Sequence, residues 1–144
     1  MRYLAYMFSL LVPAALLLFI KVPPAWSHCH PAYSHDEGPG TANPDWMGAL
    51  PDSFLISELS VPGTHDTMAF YGGDAVQCQA LSLPNQLLSG IRVLDIRCRH
   101  KDDTFAIHHG VVFQNAFFGE DVVQPCLDFL AAHPSETIFM RVKE

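Results

Sequence analysis

Basic residues are scarce in this chain: eight lysines and arginines stand against fifteen aspartates and glutamates, a formal charge of −7. That balance leaves no basic stripe to track a phosphate backbone and excludes a nucleic-acid-binding protein. It also gives no general attraction to anionic bilayers, so any lipid contact must rest on local features. The four cysteines contain no CxxC pair, which removes a thioredoxin-type redox motif. There is no internal repeat and no run of like charge. "HCHPAYSH" gathers His28, Cys29, His30 and His35, but the spacing fits no standard zinc pattern. No metal and no other cofactor is expected.

Long apolar runs are also missing, with one exception at the start, from Met7 to Ile20. It is shorter than the ~20 residues of a membrane-crossing helix and suits the roughly 7–15 residues of a secretory h-region. Arg2 precedes it and Ala25-Trp26-Ser27 follows with small residues where a signal peptidase cuts. Residues 1–27 therefore read as a cleaved signal peptide, a signal anchor being the lesser alternative, and the protein as secreted. Export permits disulfides: Cys29, Cys78, Cys98 and Cys126 allow three pairings, with buried free thiols an equal alternative for Cys98 and Cys126.

Residues 28–50 are rich in Pro, Gly and His and read as a flexible arm, with Trp46 and Met47 expected to dock on the domain that follows. From residue 51 the pattern is that of a folded unit. "FLISELSV" (54–61) reads as a strand closed by Pro62-Gly63, and "LSLPNQLLSG" (81–90) as a short helix with a glycine stop. "IRVLDIRCR" (91–99) and "TFAIHHG" (104–110) read as strands around an Asp102-Asp103 turn. "GEDVVQPCLDFLAAHP" (119–134) is an amphipathic helix that Pro125 must begin or kink, and "ETIFMRVK" (136–143) is a fourth strand. Strands separated mostly by helices predict an α/β fold with about four parallel strands, although the link after the second strand is too short for a helix.

The four strand ends share one feature. They release His65-Asp66, Asp95-Ile96-Arg97, His108-His109-Gly110 and Lys143-Glu144, while the strand interiors are mostly apolar. In parallel sheets such ends share a rim, where catalytic groups collect. Two imidazoles can serve as general base and general acid in one turnover. Arg97 offers a permanently charged, planar fork suited to phosphate. Phe113, Phe117 and Phe118 follow on that rim, either facing lipid or packing under a loop. Strand alternation lets only one of His108 and His109 face inward.

"SVPGTHDT", "LDIRCR", "IHHG" and "HPSETIFMRVKE", in this order and spacing, resemble the X region of phosphatidylinositol-specific phospholipases C, above all the metal-independent bacterial type also found in secreted fungal proteins. The resemblance covers residues 51–144 and implies the first half of a TIM-type (β/α) barrel, the chain being expected to be a fragment without the later strand whose aspartate orients the general base. It implies cleavage of a phosphatidylinositol phosphodiester by its own inositol 2-hydroxyl. His65 would be the general base, His109 the general acid and Asp66 its partner. Arg97 would stand in for calcium, with Asp95, Arg99 and Lys143 contacting or framing the substrate. The partner implied is a phospholipid or glycosylphosphatidylinositol at a membrane surface, with no protein partner. A related TIM-barrel phosphodiesterase for another head group, or an inactive secreted interaction module, is the alternative.

Overall fold

The computed structural model describes residues 38–144; the signal-peptide reading, the His-rich segment and Cys29 fall outside them. Among the described residues, no helix is long and apolar enough to cross a membrane.

A mixed five-stranded sheet organises the domain: β1 (Gly63–Thr64), β2 (Val93–Lys101), β3 (Thr104–His109), β4 (Val112–Phe117) and β5 (Phe139–Lys143). The first half of β2 pairs in parallel with β1 and β5, whereas its second half pairs antiparallel with β3, which pairs antiparallel with β4. Among the described residues three parallel strands are present, not four. The reason lies in the two-residue link, where Asp102 and Asp103 both take positive φ (51° and 57°). Two left-handed residues in succession make the tight turn whose twist matches a hairpin, so β3 must fold back on β2.

The segment 54–61 does not form the expected strand. Phe54, Leu55 and Ile56 are exposed, and Ile56–Glu58 is a single 3₁₀ turn, held where Glu58 Oε2 accepts the Leu55 N–H at 2.9 Å. The side chain takes the backbone donor that a strand would need. Extended pairing begins only at Gly63, where a Cβ would lie 2.8 Å from that of Val93. β4 was not anticipated. Its residues carry no clean alternation of apolar and polar type, and its pairing slips between Ala106 and His108, with Asn115 at φ 54° absorbing the extra length.

Helix α1 (Leu83–Leu88) starts with Pro84 in its first turn and ends before Gly90 at φ 102°. Helix α2 (Gln124–Ala132) is preceded by a π-helical turn, Phe118–Val123, and holds Pro125 in its first turn. The two helices cover one sheet face. Leu83, Leu87, Leu94, Ile96, Ile107, Val122, Cys126 and Phe129 form the core.

Part of the segment read as a flexible arm is tied down. Trp46 Nε1 donates to Gly90 O at 2.9 Å, the Asn43 N–H to Leu88 O at 2.8 Å, and the Met47 and Gly48 N–H groups to Glu136 Oε1. Glu136 in turn pairs with Arg92 at 2.7 Å, both side chains fully buried. One ion pair thus joins the arm, the start of β2 and the loop before β5. Cys78, Cys98 and Cys126 carry free thiols, so no disulfide links the described residues.

Candidate active site

The sharp bend after β1 sets the site. Asp66 follows Thr64 and His65 with φ at 42°, a left-handed conformation that a short acidic side chain tolerates better than most. The bend is clamped to β2 by a reciprocal set of bonds: the Asp66 N–H to Asp95 Oδ2 at 3.1 Å, the Thr67 N–H to Asp95 O at 2.9 Å, and the Asp95 N–H to Thr67 Oγ1 at 2.8 Å. This fixes the Asp66 carboxylate inside the protein with no exposure, while His65 points outward with its side chain 68% exposed.

Arg97 connects what the bend and the sheet present. Its Nε and Nη2 donate to Asp95 Oδ2 at 3.2 and 2.9 Å, its Nη1 lies 3.3 Å from Asp66 Oδ2, and its Nη2 lies 3.1 Å from the nearer nitrogen of His65. On the far side of Asp66, His109 Nδ1 is 3.8 Å from Oδ2. That same nitrogen lies 2.6 Å from Val76 O. A carbonyl only accepts, so the Nδ1 proton is fixed there and Nε2 is the nitrogen that exchanges protons. His65, Arg97, Asp66 and His109 therefore form one unbroken chain of contacts.

The two carboxylates differ. Burial works against the Asp95 charge, but the Asp66 N–H, Arg97 and Arg141 outweigh it and hold the group below the usual aspartate range. For Asp66 burial wins: desolvation raises its pKa against the opposing pull of Arg97 and His109. Neither Asp66 oxygen accepts an aligned hydrogen bond. It meets its cations at ion-pair distance only, a rare condition for a fully buried carboxylate.

The remaining expectations divide. His108 is not in the network: its ring packs on Phe113 with centroids 5.5 Å apart, its Nδ1 is buried without a partner, and burial with Arg99 and Lys101 nearby pushes its pKa down. Phe113 and Phe117 are exposed on β4, and Phe118 is half-buried against the core. Lys143 sits opposite Arg97 in the β2–β5 register but is exposed, with no ion pair to the network among the described residues. Arg99 is likewise exposed.

The structure adds Arg141, which the sequence reading missed and whose Nη1 reaches Asp95 Oδ1 at 3.3 Å. Alternation along β5 was the available signal, since Arg141 pairs in register with Asp95 and shares the face of Lys143. Val76 and Gln79, whose Nε2 donates to His65 O at 2.6 Å, come from a loop with no sequence signature. The convergence on one rim also arises differently than expected. His109 reaches the site because β3 folds back along β2, so its carboxyl end meets the middle of β2.

Known proteins resemble this chain. The chain is 44% identical over 107 residues to the 1-phosphatidylinositol phosphodiesterase of Listeria monocytogenes, covering 69% of this chain and 32% of that protein. It is 31% identical over 136 residues to the enzyme of that name from Staphylococcus aureus, covering 90% of this chain and 40% of the relative. The chain thus spans about a third to two fifths of the length of these relatives. Among solved structures, phosphatidylinositol-specific phospholipase C from Listeria monocytogenes superposes with a TM-score of 0.63 at 41% identity, over 72% of this chain and 39% of that one. Residues 57–144, more than half of the sequence, match the X domain of phosphatidylinositol-specific phospholipase C, and the chain belongs to that family.

Proposed function

We propose that the site cleaves the phosphodiester of phosphatidylinositol-type lipids at a membrane surface without calcium. The contact chain His65–Arg97–Asp66–His109 carries this reading. In it, His65 takes the proton of the inositol 2-hydroxyl, whose oxygen attacks phosphorus. The bond to the diacylglycerol oxygen breaks, His109 protonates that oxygen through Nε2, and a cyclic inositol phosphate is left. Asp66 and the Val76 carbonyl steady the imidazolium from behind. Arg97 neutralises the phosphate, the task a dication performs elsewhere. A phosphate is a stronger acceptor than imidazole, so its arrival draws the guanidinium off His65 and frees the base.

The relatives are about three times as long as the matched region, and the reading concerns the part of the site that this chain supplies. In the same reading residues 1–27 are removed on secretion, which the N-terminal sequence of the exported protein tests.

The test uses phosphatidylinositol vesicles in excess chelator, with phosphorus NMR following cyclic inositol phosphate, and ring-proton NMR following the histidines as inositol phosphate is added. Cleavage that persists in chelator and falls at least ~100-fold in both His65→Ala and His109→Ala is expected. Added inositol phosphate is expected to shift both ring signals. Parental turnover in both variants, or no turnover together with unshifted signals, overturns the reading.

A further inference from the structure

Beside the network, the loop after β1 brings in a thiol that the reaction does not use. Ligand atoms of Asp66, Cys78 and His109 all lie within 4.8 Å of one another. One carboxylate oxygen, one sulfur and one imidazole nitrogen form a mixed, partly soft set that hard calcium or magnesium would not choose and that suits zinc. A second feature points to a ligand independently. Asp66 is fully buried, yet both of its oxygens lack a hydrogen-bond donor, a state that bound metal relieves. His109 Nδ1 is the ring nitrogen turned to this carboxylate, 3.8 Å from Asp66 Oδ2, and coordination there displaces its contact with the Val76 carbonyl and moves the ring proton to Nε2.

We propose that Asp66, Cys78 and His109 form a binding site for a zinc-like divalent cation, which blocks the rim when occupied. Bond lengths of about 2.0–2.3 Å place tetrahedral ligand atoms some 3.3–3.8 Å apart. Asp66 Oδ2 and His109 Nδ1 are already at 3.8 Å, so closure falls mainly on Cys78. Cys78 is exposed and follows a loop in which Gly72 and Gly73 both have positive φ. Charge balances as well: thiolate and Asp66 neutralise the dication, the thiol proton leaves to solvent, and Arg97 stays paired with Asp95. Three protein ligands leave a fourth position open to water or phosphate. The site goes beyond the phosphodiester-cleavage reading, and its binding can be measured whether or not the chain turns over lipid.

Cobalt(II) serves as the spectroscopic probe in the full chain, because thiolate ligation gives a near-ultraviolet charge-transfer band that zinc abolishes on displacement. Cys29 in the His-rich segment is the competing thiol, so the variants are Cys78→Ser and Cys29→Ser. The band is expected in the parent and in Cys29→Ser and lost in Cys78→Ser, with affinity weakened at least about tenfold. Zinc is also expected to protect Cys78 from alkylation in a mass-spectrometric footprint. No thiolate band, or a band that survives Cys78→Ser and disappears in Cys29→Ser, overturns the site. Zinc binding without any loss of lipid cleavage in an active preparation overturns the blocking role alone.

Discussion

Arg92 and Glu136 face each other 2.7 Å apart with neither side chain exposed to solvent. Around them Arg92 also donates to Leu87 O and Ile91 O at 2.8 Å, and to Pro44 O, while Glu136 accepts from Met47 and Gly48. Removing one member strands the other charge in the interior, which costs about 3–5 kcal/mol. Glu136→Ala is expected to lower unfolding stability by that amount in urea titrations. Replacing both, as Arg92→Met with Glu136→Leu, should cost less than the single change because no charge is left unpaired.

Asp66 and Asp95 should shape acid stability in opposite directions. The folded pKa of Asp95 is depressed, so its contribution is present above the ordinary aspartate value of 3.8 and is lost as pH falls through the lower folded value. Asp95→Asn should therefore destabilise the protein at neutral pH and flatten its acid melt, measured by circular dichroism across pH 2–7.

For Asp66 the folded pKa is raised, so its penalty is absent below 3.8, grows as pH climbs from there towards the raised value and is complete above it. Asp66→Asn is expected to raise the melting temperature at pH 7 by a few degrees and to leave it near parental in acid. If the site works as proposed, the same change removes most cleavage. A residue whose deletion stabilises the fold is retained for its chemistry.

Gln114, almost fully buried on β4, accepts the N–H groups of Phe70 and Tyr71 at 2.8 Å and donates to Tyr71 O and Val112 O. It fixes the loop that leads to Val76 and hence to His109. Gln114→Leu should cost about 1–3 kcal/mol through the unsatisfied backbone groups. Hydrogen exchange should speed up at Phe70 and Tyr71 before the rest of the sheet.

Much of the site was legible because its residues sit in short motifs, although Asp95 and Arg97, read as the end of a strand, lie inside β2. His65, Asp66, Asp95, Arg97 and His109 were all named from sequence, and all five join one network. Arg141 was missed because only the β2–β5 register shows that it faces Asp95. The fold was legible in its elements and less so in their directions. "FLISELSV" has strand composition, yet Glu58 takes the Leu55 N–H and the segment stays exposed. The direction of β3 was written in the brevity of Asp102-Asp103, a constraint of turn geometry that counting strands and helices does not register.

That turn governs which length changes this lineage can accept. His109 is held against the middle of β2 by a ladder of paired residues, not by a crossover of adjustable size. An indel of one residue near Lys101 would swing the imidazole to the opposite side of the ribbon and silence it. Matched additions, one on each arm, would only push the tip farther into solvent and spare the chemistry. Natural variants of this ribbon should therefore differ in length by even steps.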